Sequence, residues 1–404
     1  MTSFGEQLRS QRELRGLTQD QAAELLGVSR VTFTLWEGNK HLPALSRAHE
    51  LDRALDAAGA LELALQQAHS KSPRGIRTAP VTPVHATGPT VATVLKNARR
   101  ALLDQLCFDD NGNPLGWRHN LVPSVERPSP VSTAYGLGAM ALLGGPDANT
   151  AHIVERVTRL GSKADGTLDG WRFSAQREPR TEAAAPAINS LQLAGAALPV
   201  DEIIEVLRRL YDETSRERPF ILTLAAQPLL RVAPDAAFTV GIVRDLLDCR
   251  RDFHGVLLWP EKRLHRDQPL LDPSVAHTAR AVTVLREAPS ELVGDAVTSA
   301  EEWLTEQTNL GGVTEIVRRT LDGGEREELA FHQFTATHVV QALSGSERPD
   351  TRAITRALRV VWERYDPDTS LWAWGNGDVP VWMLADAVAA VQSAALALMT
   401  APAG

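Results

Sequence analysis

Residues 16–43 read GLTQDQAAELLGVSRVTFTLWEGNKHLP. Thr18 stands where a hydroxyl caps a helix, and Ser29 can cap the next one, running to about Trp36. Ala23 is small where two helices must approach, Gly27 supplies a tight turn, and Val28 and Phe33 pack beneath the second helix. Helix, short glycine turn, helix is the geometry that lays a helix in a DNA major groove. Catalytic constellations are harder to find. Cys107 and Cys249 are too few for a disulfide scaffold or a four-cysteine zinc site. They read as buried apolar groups in a reducing compartment. No Ser-His-Asp order, P-loop or Gly-rich nucleotide fingerprint occurs.

The elements that must position these residues are helical. A first amphipathic helix is expected near residues 4–15, ending at Gly16. Strand signals are scarce, and Asn111-Gly112 and Asn376-Gly377 lack alternating apolar flanks, so both read as loops. Periodic runs such as Val94, Leu95, Ala98, Ala101, Leu102 and Ile203, Val206, Leu207, Leu210 dominate. The expected fold is all-α. Residues 71–93 hold four prolines and three cations with no acid, the composition of an extended linker. This divides the 404 residues into 1–70, a linker at 71–93, and 94–404.

Composition bounds the function. The chain is 43% apolar and 23% charged, as globular proteins are. Its net charge of -8 excludes a basic nucleic-acid coat, so any such contact is local. The N-terminus shows no apolar signal region. The uncharged stretches 128–146, 183–200 and 387–404 are too weakly apolar for membrane spans and read as buried helices. A cytoplasmic protein without membrane contact is expected.

Leu8, Arg12, Gly16, Leu17, Thr18, Gln19, Ala23, Leu26, Gly27, Val28, Ser29, Trp36, Glu37, Gly38 and Pro43 fall in order over residues 3–65. In these positions the segment resembles the lambda-repressor-like (XRE) helix-turn-helix family. The resemblance implies a small five-helix domain bound to double-stranded DNA. It places Gln19 on backbone phosphate and makes Arg30, Val31, Thr32 and Thr34 the base readers beside Ser29. Arg30 can grip guanine, and Asn39 and Lys40 lie where phosphates pass. Arg12 and Glu37 resemble the family's internal ion pair. Residues 1–70 hold seven Arg or Lys and nine Asp or Glu, a net of -2. Such a domain binds weakly alone, so a homodimer is expected.

Residues 94–404 show a faint repeat: an apolar helix, a loop ending in Gly or Trp, then a helix of small residues. Six such pairs suggest a solenoid or a closed ring. Asp169-Gly170-Trp171, Gly116-Trp117, Trp303-Leu304 with Gln307 and Gly311-Gly312, and the helix starts at 130–134 and 273–279 carry a resemblance. They are similar to the α/α-toroid of squalene–hopene cyclases and protein prenyltransferase β-subunits. The resemblance implies a large ring with a central cavity. The cyclases' Asp-x-Asp-Asp acid is missing; its nearest counterpart, Asp366-Pro367-Asp368-Thr369, reads as a helix stop. Asp109-Asp110 reads as a turn. The zinc set of the transferases is missing too, with Cys249 and His277 the nearest pair. No cofactor or metal is expected.

Trp117, Trp171, Trp259, Trp372 and Trp374 recur near the loops between paired helices. Aromatic walls suit an apolar ligand oriented by a few polar groups. These tryptophans are the candidates for a ligand pocket, with His277 as a polar partner and His332 and His338 as further ones. Packing of repeat against repeat is their other use. The layout is that of a DNA-binding transcriptional regulator, not an enzyme, with a ring that senses an apolar ligand or a partner. A DNA-tethered scaffold and an isoprenoid-handling enzyme are the alternatives.

Overall fold

Thr18 and Gln21 cap each other reciprocally: each backbone N–H reaches the other's side-chain oxygen, at 2.9 and 3.2 Å. That exchange starts the second helix of the N-terminal unit. The computed structural model describes residues 3–26, 28, 30–38, 43, scattered positions from 51 to 65, 90–122, 127–145, 148–174, 177–263, 273–320, 326–374 and 377–400. The chain separates into two units, Met1–Gly88 and Pro89–Gly404.

In the first unit, α1 (Phe4–Leu14) begins at a Ser3–Glu6 capping box. It ends before Gly16, whose φ of 64° is a left-handed stop open to glycine. Then come α2 (Gln19–Leu25) and α3 (Arg30–Glu37). Phe4, Leu8, Ala23, Leu26, Phe33 and Trp36 form the core together with Leu51, Leu55, Leu61 and Leu65. Helical residues recur at 51–52, 54, 60–61 and 64–65; the rest of the expected fourth and fifth helices lies outside the described residues.

Among the described residues the second unit is built from six helix pairs. The first helices of the pairs are α4 (Val91–Asp104), α6 (Ala148–Leu160), α8 (Val200–Leu210), α11 (Ala237–Asp248), α14 (Ala296–Thr305) and α16 (Thr351–Trp362). Their partners are α5 (Pro130–Leu142), α7 (Thr181–Leu193), α10 (Pro219–Val232), α12 (Val275–Leu285), α15 (Thr335–Ser344) and α17 (Val381–Thr400). Short helices α9 (Glu213–Glu217) and α13 (Ser290–Val293) lie between. The partner helices pack in sequence, α5 on α7, α7 on α10, and so on to α17, which packs back on α5. Backbone bonds seal that last join: Leu121 donates to the Val379 carbonyl at 2.8 Å and Val381 to that of His119 at 2.9 Å.

The pattern of burial explains the two kinds of helix. In α7 every residue from Thr181 to Ile188 is buried, so it needs apolar or small side chains all round. In α8 only Ile203, Val206 and Leu207 are buried, one stripe of an amphipathic helix facing its neighbours. The uncharged stretches of the sequence are thus α5, α7 and α17. Among the described residues α17 is the one helix long and apolar enough to cross a membrane; more than half of that stretch is buried within the protein.

Four antiparallel hairpins join helices within pairs: β1 (Cys107–Phe108) with β2 (Pro114–Gly116), β3 (Arg251–Phe253) with β4 (Val256–Leu258), β5 (Gly312–Thr320) with β6 (Arg326–Phe334), and β7 (Tyr365–Asp366) with β8 (Leu371–Trp372). Helices dominate the described residues and the strands are few, as the sequence leads one to expect. Asn111-Gly112 sits at the tip of β1–β2, where Asp109 accepts from the backbone of Asn111 and Asn113. Asp366-Pro367-Asp368-Thr369 is no helix stop: α16 already ends at Trp362, and Asp366 holds the β7–β8 turn through Asp368 and Thr369. The expected linker ends earlier than residue 93, because Thr90 caps α4; its residues 71–89 lie outside the described residues.

Candidate nucleic-acid interface and central cavity

Glu37 is the hub of the first unit. It is 2% exposed and accepts from Arg12 Nε at 2.7 Å and Gln19 Nε2 at 2.6 Å. These bonds tie α1, α2 and α3 together and fix the angle at which α3 is presented. The Glu37 carboxylate also holds the Arg12 guanidinium more firmly protonated, against the cost of its partial burial. Phe33 and Trp36 anchor the inner face of α3. Arg30 and Thr34, four residues apart, share its exposed face, and Thr32 is half-buried.

Of the expected DNA contacts, Arg30 is free in solvent apart from an exposed ion pair with Asp20 at 3.5 Å. Gln19 spends its amide on Glu37 and its oxygen lies 3.4 Å from the Thr34 hydroxyl. Ser29, Asn39, Lys40 and the Val31 side chain lie outside the described residues.

The second unit holds a half-open cavity of about 1220 Å³. All six partner helices line it, together with β6. Its aromatic part is formed by Tyr135, Phe173, Phe220, Phe331 and Trp382. Hairpin β5–β6 is anchored by charge. Glu315, Val317 and Arg319 alternate on its buried face. Arg319 binds Glu182 at 2.6 Å and Asp212 at 3.0 Å. Glu315 meets Arg218 at 3.0 Å, His277 at 3.0 Å and Gln333 at 3.2 Å. Burial pushes Asp212 up, but the Arg319 and Ser215 donors outweigh it and hold the carboxyl below its usual range.

The pocket candidates read from the sequence do not line this cavity. Trp117, Trp171 and Trp259 are fully buried, and their indole N–H groups donate to the Leu102, Val157 and Leu246 carbonyls, each at 2.8 Å. Each ring folds its connection back onto the end of the preceding helix. A Cβ at Gly136 would fall 2.2 Å from the Trp117 ring, and one at Gly161 2.2 Å from Trp171, so glycine is needed at both contacts. Trp372 is buried against Trp362 and Tyr365, and its N–H has no partner. Trp374 packs edge-on to Phe334 and Trp382. His277 is held by Ser274 and Glu315, and Cys249 is buried with its thiol pushed up to about 12 by desolvation. The expected polar groups that do reach the wall are His332 and His338.

The sequence missed Tyr135, Arg280 and Asp386. Arg280 donates to His338 Nε2 at 3.3 Å, stacks over Phe220 at 5.1 Å, and lies 3.4 Å from the Thr223 hydroxyl. His338 Nε2 is 3.9 Å from Asp386. Burial, then the charge of Arg280, hold His338 well below its usual range, so it is neutral at pH 7. Burial pushes Asp386 up to about 6, with Arg280 opposing. Burial and the Asp386 charge raise the Tyr135 phenol. The belt can therefore offer donors, a neutral imidazole and a carboxyl that titrates near neutrality. Among the described residues no group of three metal-ligating side chains converges.

Residues 3–65 match the helix-turn-helix domain family. The first unit is therefore a helix-turn-helix domain, and the partner class of that domain is DNA. None of the curated proteins matches the chain.

Proposed function

We propose that the protein is a sequence-specific transcriptional regulator of the cytoplasm. Its first unit is read as a five-helix XRE-type domain, and its second as an α/α-toroid that senses a small molecule. The carrying observation is one chain holding both a helix-turn-helix domain and, in its other unit, a cavity of about 1220 Å³. An open cavity favours a sensor over a scaffold, whose ring would be filled. The reading assigns no catalytic step to the ring. The mildly acidic DNA domain favours a homodimer, whose two recognition helices meet half-sites about 34 Å apart. Ligand in the ring shifts the dimer between geometries that do or do not fit, a coupling of about 1–3 kcal/mol.

The test is DNA binding by the whole chain to its own upstream region at two salt concentrations. Salt-sensitive, selective binding is expected. Arg30→Ala should relax discrimination at one base position by about 1–3 kcal/mol. Equal affinity for scrambled duplex, with a folded dimer, would overturn the reading.

A further inference from the structure

The arginines around the cavity are not alike. Arg177 pairs with Glu327 at 3.3 Å, and Arg286 with Glu301. Arg231, exposed, donates to the Asn189 side-chain amide oxygen, and Arg127 is exposed too. Arg280 alone among them is both half-buried and bonded only to neutral groups, the Thr223 hydroxyl and the His338 ring. A guanidinium has no acceptor, so His338 Nε2 must accept, which puts the imidazole proton on Nδ1. His338 thus fixes Arg280 without neutralising it. Phe220 holds the guanidinium plane from one side. Asp386 approaches the same nitrogen, 3.9 Å from His338 Nε2, and makes no direct ion pair with Arg280.

A partly buried guanidinium without a carboxylate is costly in an apolar wall, and the cost falls when an anion arrives. The five aromatic side chains that line the same cavity ask for an apolar body on that anion. Resting on the sensor reading, we infer that the cavity binds an aromatic or otherwise apolar organic monoanion, its acid group seated on Arg280. Asp386, unpaired with Arg280, serves as the counter-charge of the empty site and yields that role to the ligand. Tyr135, on the neighbouring helix α5, lines the same cavity and feels the charges of both Asp386 and Arg280.

Two dyes with nearly the same body test this on the full chain: 8-anilinonaphthalene-1-sulfonate, an anion, and N-phenyl-1-naphthylamine, which lacks the sulfonate. The anion should bind wild-type protein at least about tenfold more tightly. Arg280→Gln should erase that preference and leave the neutral dye within about twofold, while Arg280→Lys keeps part of it. Ala385→Trp, which fills the cavity beside Trp382, should exclude both dyes. Circular dichroism melts establish that each variant is folded. Equal affinity of the dyes, parallel loss of both in Arg280→Gln, or anion binding untouched by Ala385→Trp would overturn the Arg280 anchor and leave the cavity reading standing. Failure of both dyes to bind folded wild type would sink the cavity reading itself.

Discussion

Two clusters of buried charge occupy the same ring and follow opposite plans. Under hairpin β5–β6, Arg319 is clasped by Glu182 and Asp212, and Glu315 by Arg218, His277 and Gln333. Along the cavity wall, Arg280 and Asp386 both approach Nε2 of a neutral histidine and form no ion pair with each other. The first cluster sets each cation directly against a carboxylate and so serves structure. The second leaves a cation and a carboxyl facing open space, which is what a recognition site needs before its ligand arrives. Burial of charge alone does not mark function; burial without a matched partner does.

The largest expected effect comes from the paired cluster. Arg319→Ala strands the Glu182 carboxylate, which is 1% exposed, and should cost about 3–5 kcal/mol in urea unfolding. A loss below about 1 kcal/mol would break the contrast, for the two clusters would then be alike.

Asp386→Asn should act in the opposite direction. The folded pKa of about 6 stands above the unfolded value near 3.8, so the native state binds the proton more tightly. The carboxyl is harmless to stability at low pH, and the cost of burying its charge grows between about pH 4 and pH 6. Asparagine should therefore stabilise the protein by about 1–3 kcal/mol above pH 6 and hardly at all near pH 4. Thermal melts of both proteins across that range measure it; a destabilised variant at pH 7 would show that Asp386 is paired after all.

The smallest effect sharpens the comparison among the tryptophans. Trp171→Phe loses a buried hydrogen bond to Val157, whereas Trp372→Phe removes a donor that has no partner. The first should cost about 1 kcal/mol more than the second. Equal costs would mean that volume alone matters at both positions.

The sequence made some of this legible, for physical reasons. Thr18, Gly16, Arg12 and Glu37 act locally or as one ion pair, and the helix-turn-helix is built from such contacts. Uncharged stretches mark α5, α7 and α17 because a helix buried all round cannot carry charge cheaply. Trp117, Trp171, Trp259 and Trp372 fall in connections between paired helices and do not line the cavity. Their size and single donor suit them to closing a connection over a glycine. Hairpin β5–β6 was hidden because its buried face reads Glu315, Val317, Arg319, charged where a strand signal asks for apolar residues. Tyr135, Arg280, His338 and Asp386 are single residues on four helices, and only closure of the ring brings them together.

The central claim is that occupancy of the ring and binding of DNA are one linked equilibrium. It is tested by titrating full-length protein onto a far-red-labelled duplex from its upstream region, with and without saturating 8-anilinonaphthalene-1-sulfonate. The account predicts a shift in DNA Kd of at least about fivefold in wild type, and none in Arg280→Gln. An unchanged Kd with the dye demonstrably bound would contradict it.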